Sequence, residues 1–336
     1  MNIFKCANCS NTLSGFIPTN CNCGYNPPII NGVYQFTNDE PIAVDANGPR
    51  WLGYEYVGEN YRPDYAHNKG LKIAGNYENL ANYLGRDKII LDIGAGLGEV
   101  SITLALSGLK AIAADISQAM LEAAAKRAQI NNAPQDKIIF ARMNGYKLQL
   151  ADNSVDAVFE ADALRQVDQP ELIVAEILRV LKPNGYFLQY GGKSLGYTTE
   201  QEAANIRYDN ALTDIENFYE HLISEAGCSE PPFSSWEKAE QCIRENFTEY
   251  KTIDDTGAWW RNNIKWPLKL GLHKTKTRAS GSKQLIPDDI HNAAWAKTDA
   301  YAKSNYGEDY ESISRYFNST SGLKLFTPTP APQQGN

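Results

Sequence analysis

Between residues 88 and 190 the apolar positions fall into short solid runs separated by longer amphipathic stretches. The runs 88–93, 110–114, 137–142, 156–160 and 186–190 are rich in Ile, Val, Ala and Phe. Continuous apolar runs of this length predict strands buried on both faces. The segments between them, 99–107, 118–131 and 170–181, have helical spacing. Ser117 is placed to cap the second, Pro170 suits the first turn of the third, and Lys182-Pro183-Asn184-Gly185 stops it. Strands alternating with helices predict βαβ units around a mainly parallel sheet, an α/β fold. Further on, 212–226 reads as a helix, 247–252 as a sixth strand, about 255–318 as a helical insert and 323–327 as a last strand.

Upstream of the first run the pattern is less regular. Residues 71–84 have helical spacing, after a stretch dense in aromatics (Trp51, Tyr54, Tyr56, Tyr61, Tyr65). Residues 26–36 read as a strand, a turn and a second strand closing a small sheet. The polar stretch 37–48 reads as a linker, with the main domain running over 49–326. The tail 327–336, with Pro328, Pro330 and Pro332, is expected to be disordered.

A chain of 336 residues allows about two domains. With 32 basic and 40 acidic residues its net charge is −8, which argues against a nucleic-acid scaffold. No run of ~18 apolar residues predicts a membrane span, and the N-terminus has no signal-peptide pattern. The expectation is a cytoplasmic, reducing setting. That changes how the cysteines are read. Cys6, Cys9, Cys21 and Cys23 form C-x-x-C and C-x-C-G pairs on which four thiolates can meet at one centre. In a reducing compartment such a set predicts a structural zinc ribbon over 1–36 rather than disulfides. Cys228 and Cys242 read as free thiols.

The candidate chemistry lies just after the first run. Asp92-Ile93-Gly94-Ala95-Gly96-Leu97-Gly98 sits at the carboxyl end of a strand, where open α/β sheets bind ligands. Asp115 ends the next strand, placed to accept hydrogen bonds from a ribose diol. The loop is not the G-x-G-x-x-G of dinucleotide sites. An acid precedes its first glycine and Glu99 follows its last. Carboxylates there repel a pyrophosphate and suit a cofactor carrying an ammonium and a sulfonium, which is S-adenosylmethionine.

Four segments, in order, resemble the class I S-adenosylmethionine-dependent methyltransferases of the type 11 kind: 91–98 (LDIGAGLG), 115–117 (DIS), 152–159 (DNSVDAVF) and 176–185 (EILRVLKPNG). The resemblance implies a Rossmann-like fold with a mainly parallel seven-stranded sheet. It implies that Asp92, Gly94, Ala95 and Gly96 line the methionine part of the cofactor, that Asp115 holds the ribose, that Ile116 packs on adenine, and that Asn144 and Gly145 lie at its amino edge. Residues 21–36 are similar to the cysteine segment that opens certain ribosomal RNA guanine methyltransferases. Departures are Asn144 where the family often has Asp, Arg165-Gln166 where many relatives have histidines, and no N-P-P-Y motif after strand four.

Glu160, Asp162 and Arg165, at or just past the end of strand four, are the candidate catalytic or substrate-anchoring residues; the alternative is a solvated loop. Tyr190 is a candidate pocket wall, Tyr61 and Tyr65 a candidate lid, and Trp259-Trp260-Arg261 a candidate wall or buried helix face. His67, His221, His273 and His291 form no ligand spacing. Six basic residues lie between Lys265 and Lys283 (with Lys269, Lys274, Lys276 and Arg278) and no acid among them, a stretch that can dock RNA or simply be solvated. The expected activity is direct methyl transfer to a small-molecule acceptor. Alternatives are an RNA or tRNA methyltransferase, a non-methylating enzyme using the same cofactor, and a non-catalytic cofactor-binding subunit.

Overall fold

A computed structural model describes residues 2–37, 76–191, 194–228, 236–254, 264–278, 283, 286–318 and 322–329. The expectations for residues 38–48, Trp51 through Tyr65, Trp259-Trp260-Arg261 and the last seven residues lie outside these. No helix of the described residues is long and apolar enough to cross a membrane.

The five apolar runs are strands: β5 (Ile89–Ile93), β6 (Lys110–Asp115), β7 (Ile138–Arg142), β8 (Val155–Glu160) and β9 (Leu181–Gly191). All five are parallel, in the order β7-β6-β5-β8-β9. Their period of two splits the core into two layers. Ile89, Leu91, Ile93, Ile112 and Val158 face one layer, and Ile90, Ala111, Ala113, Ala157 and Phe159 the other. The helices α2 (Glu99–Leu106), α3 (Gln118–Ile130) and α4 (Pro170–Val180) follow the sequence expectation within a residue or two. Ser117 Oγ accepts from Met120 N at α3's start, and Pro170 opens α4. A short α1 (Glu78–Leu84) precedes β5.

Beyond β9 the sheet turns antiparallel. β13 (Gly322–Pro328) lies between β9 and β10 (Phe247–Asp254), antiparallel to both. β13 runs into the segment expected as tail. The long α5 (Thr199–Glu225), held by a Thr198/Gln201 capping box, starts thirteen residues before the predicted helix. Its first half is largely polar, so apolar spacing understates it. Helix α6 (Trp236–Asn246) was not foreseen; its Ala239 and Ile243 join the core layer that holds α4. The insert is not wholly helical. It contains α7 (Asp288–Tyr306), two short helical turns and a two-stranded sheet of β11 (Ile264–Pro267) with β12 (Ser314–Phe317). Its core is shared with α5 through Tyr208, Ala211 and Ile215 against Leu268, Ala302 and Tyr310. β9 and β10 end, and β13 begins, at the carboxyl edge of the sheet, so α5 and the insert both connect there.

The N-terminal segment differs most from expectation. A hairpin of β1 (Asn2–Lys5) and β2 (Thr12–Ser14) is a small sheet of its own. The second hairpin, β3 (Ile29–Ile30) and β4 (Val33–Gln35), does not close that sheet. Asn31 and Gly32 both have positive φ, the conformation a two-residue Asn-Gly hairpin turn needs. β4 then pairs parallel to β7, giving nine strands where seven were expected. The β1 strand docks as well: Phe4 bridges Leu150, Lys5 N donates to Gln149 O at 2.9 Å, and Ala151 N donates to Ile3 O at 2.7 Å. Phe4 is fully buried and stacks on Phe36 at 5.0 Å. Phe4→Ala is therefore expected to destabilise the whole chain by about 3–5 kcal/mol, read by urea unfolding. A loss under about 1 kcal/mol would show that the N-terminal segment folds independently of the sheet.

Candidate active site

The chain leaves β5 toward β6 and later returns to β8 on the other side of β5, so the carboxyl ends of β5 and β8 form the crevice of the sheet. The glycine loop lines it. Gly94, Gly96 and Gly98 have φ of +70°, +51° and +71°, the left-handed region that side chains disfavour. Space also demands glycine at Gly94, where a Cβ would lie 2.4 Å from the Ala163 Cβ. Gly94 N and Ala95 N both donate to Ala114 O, at 2.9 and 3.0 Å, stitching the loop to β6.

Asp115 completes the loop. Its Oδ2 accepts from Gly96 N at 2.8 Å and its Oδ1 from Ser117 N at 2.9 Å. Ile116 is half-buried, and its carbonyl accepts from Arg142 Nε at 3.1 Å. Asn144 Oδ1 accepts from Tyr146 N at 3.0 Å, so the oxygen expected to face adenine also closes a turn over Gly145. A Cβ on Gly145 would meet Ile173 at 3.2 Å.

Asp92 faces inward. Its Oδ2 accepts from Ser101 N at 3.0 Å and from Ser101 Oγ at 2.5 Å, anchoring the first turn of α2. Burial pushes its carboxyl up to about 7; the Ser101 donors oppose this, and the charges of Asp115 and Glu160 add to it. Glu160 is only 4% exposed and is likewise raised by burial, with Leu164 N and Gln189 opposing. The Tyr190 phenol is raised by burial and further by Glu99, Asp92 and Asp162. The crevice thus gathers acidic groups whose ionisation is held back by burial and by their neighbours. A cation seated in it would relieve the repulsion and draw Asp92 back toward ionisation.

The three candidate catalytic residues are not brought together as a unit. Both Glu160 oxygens are engaged, by Leu164 N at 3.0 Å and Gln189 Nε2 at 2.9 Å, which ties the ends of β8 and β9. Asp162 is exposed, has φ +68°, and pairs with Arg165 at 3.0 Å. Nearby, the half-buried Tyr190 packs on the fully buried Phe159 and Tyr77. Tyr190 meets Phe159 edge-on at 5.1 Å, and Tyr77 OH donates to Tyr190 OH at 3.3 Å.

Sequence reading missed Tyr77, Ser101 and Gln189. Gln189 left one signal, a polar residue inside an otherwise apolar strand. It also gave the Glu176-x-x-Arg179 pattern no role. Arg179 donates to both Glu176 oxygens, to Asp152 and to the carbonyls of Leu148 and Leu150, locking the segment before β8.

The four N-terminal cysteines converge. Their sulfurs all lie within 4.8 Å of one another, with Cys6–Cys23 at 3.6 Å and Cys9–Cys21 at 3.5 Å. A disulfide needs about 2.05 Å. A tetrahedral site with metal–sulfur bonds of ~2.3 Å has edges of ~3.8 Å, which these separations approach. The basic stretch is largely absorbed by the insert. Lys276 pairs with Glu311 at 3.0 Å, Arg278 with Asp288, and the buried Lys283 with Glu220. An open groove of about 670 Å³ on the insert, lined by Lys276, Asp299, Lys303 and Glu311, carries side chains already paired with one another. His291, buried, is held between Tyr219 OH and Lys276 O, and His221 pairs with Glu225 on α5.

Asp92 gives a pH signature. Burial pushes its native carboxyl up to about 7 from the ordinary 3.8. Folding then retains a proton that the unfolded chain releases, so the Asp92 contribution is full below ~4 and lost as pH rises to ~7. Asp92→Asn should flatten that decline relative to wild type in urea unfolding between pH 4 and 7. Parallel profiles for the two proteins would contradict the assignment.

A family model described as a methyltransferase domain matches residues 91–189. A demethylmenaquinone methyltransferase of Clavibacter sepedonicus is 42% identical over 96 residues, 29% of this chain and 38% of that protein. A ubiquinone/menaquinone biosynthesis C-methyltransferase of Bradyrhizobium is 39% identical over 102 residues, 30% and 40% of the two chains. An S-adenosyl-L-methionine-dependent Diels-Alderase of Talaromyces variabilis is 30% identical over 152 residues, 41% and 52%. The alignments thus span about two fifths to one half of these relatives. The family model spans the glycine loop, Asp115 and the helix bearing Glu176 and Arg179, and residues 91–189 match a methyltransferase domain.

Proposed function

We propose that the protein is an S-adenosylmethionine-dependent methyltransferase acting on a small-molecule acceptor. The observation that carries this reading is the Asp115 carboxylate at the end of β6, held by the Gly96 and Ser117 amides against a glycine loop that has no room for a side chain at Gly94. The residues fit the cofactor. Asp115 takes the ribose, Ile116 and the Asn144-Gly145 turn the adenine, and Gly94 through Gly96 the methionine part. The acidic crevice of Asp92, Glu99 and Glu160 favours a sulfonium and an ammonium. When bound, S-adenosylmethionine supplies an electrophilic methyl group for direct displacement.

The chain's own work is then positioning and exclusion of water. With Glu160 committed to Leu164 and Gln189, no base is assigned to it. The half-buried Tyr190, backed by the buried Phe159 and Tyr77, offers an aromatic surface to a flat apolar acceptor, in keeping with the quinone methyltransferases among the relatives. Internal pairing of Lys276, Arg278 and Lys283 counts against an RNA-docking role for that stretch. The four cysteines hold a structural zinc; a complete thiolate set leaves no open position for catalysis.

A second reading rests on the length of the match to the Diels-Alderase: the cofactor is bound but no methyl is transferred. Methyl-labelled cofactor separates the two. Label in a low-molecular-weight product from a metabolite extract is expected; retention of all label in intact cofactor would favour the second reading, and label only in RNA would sink the first. Asp115→Ala should weaken S-adenosylhomocysteine binding by about 2–3 kcal/mol, roughly 30–150-fold, in calorimetry. Unchanged affinity would refute the cofactor site.

A further inference from the structure

We propose that the N-terminal cysteine segment braces the adenosine side of the cofactor site, with Gln35 as a positioning residue. This rests on the cofactor reading above. The two stretches assigned to adenosine are 115–118 and 143–145, and the segment grips both. Gln35 is only 8% exposed. Its Nε2 donates to Gln118 Oε1 at 2.8 Å and to Val33 O at 2.9 Å, and Gln118 is the first residue of α3, directly after Asp115-Ile116-Ser117. Gln118 Nε2 in turn reaches Ile30 O, and Asn31 Nδ2 reaches Glu122 Oε1 at 3.0 Å. On the other stretch, β4 pairs with β7 up to Arg142, and Phe36 N donates to Arg142 O at 3.1 Å, one residue before Met143.

The thiolate cluster is wired into the same brace. Cys6 follows β1, which hydrogen-bonds Gln149 and Ala151 just past the adenine-side turn. Cys6 and Cys21 are buried in one cluster with Phe36, Met143, Leu148 and Leu150. The exposed Lys5–Asp152 pair adds little. Four sulfurs drawn to one ion tie the β1–β2 hairpin to the Cys21–Cys23 turn; Cys21 N donates to Tyr25 O at 2.7 Å and Tyr25 OH to Gln35 O at 3.2 Å, so metal occupancy is transmitted to the shape of 143–150 and of α3's first turn. The methionine side, 94–101, is held instead by β6 and Ser101.

The test uses the full chain loaded with zinc, the same chain stripped by a chelator, and Gln35→Ala, each confirmed folded by circular dichroism. Stripping zinc should raise the S-adenosylhomocysteine Kd about tenfold, speed amide exchange at 143–151 and leave 94–101 protected; restoring zinc should reverse it. Gln35→Ala, which leaves the cysteines intact, should weaken binding about fivefold and raise the S-adenosylmethionine KM with kcat unchanged. A Kd within twofold of wild type in both the stripped chain and Gln35→Ala would overturn the brace while leaving the cofactor site standing. Failure of the zinc-loaded wild type to bind S-adenosylhomocysteine would overturn the cofactor reading itself.

Discussion

Much of the site depends on the backbone between Gly94 and Gly98 holding left-handed conformations while its amides point at fixed acceptors. Two of those acceptors are the Ala114 carbonyl and the Asp115 carboxylate. The first ties β5's exit to β6; the second holds the Asp115 carboxylate against the loop. Asp92, below, holds the start of α2 through Ser101. A side chain at Gly94 would collide with Ala163, so the loop after β5 and the loop after β8 must fit each other before any ligand arrives.

That geometry concentrates carboxylates where water is scarce. Burial raises Asp92 and Glu160, and mutual repulsion adds to it. An acidic crevice that is costly when empty becomes complementary when a cation enters. Beside these acids the half-buried Tyr190 packs on the buried Phe159 and Tyr77.

The chain's core sheet was legible in its sequence because β5 to β8 are buried on both faces and read as solid apolar runs. Ser117 and Pro170 marked helix starts for local reasons that the fold preserves. What was not legible depended on tertiary partners. The first half of α5 is polar because it meets the insert partly through polar contacts, Asn205 with Tyr316 and Asp209 with Arg315, beside the buried Tyr208 and Ala211. The Asn31-Gly32 hairpin was readable as a turn, but nothing local says that β4 pairs with β7 and not with the ribbon. Glu160 looked like a free acid because its partners, Gln189 and the Leu164 amide, lie on other parts of the chain. The cysteine spacing, by contrast, placed four sulfurs together correctly.

The central claim is that Asp115 is the ribose anchor of an S-adenosylmethionine site built on this loop. A crystal structure of the chain with S-adenosylhomocysteine tests it most directly. The account predicts both ribose hydroxyls within about 3 Å of the Asp115 oxygens, with the Gly96 and Ser117 amides still donating to the same carboxylate. A ligand bound elsewhere, or a ribose that does not touch Asp115, would contradict it.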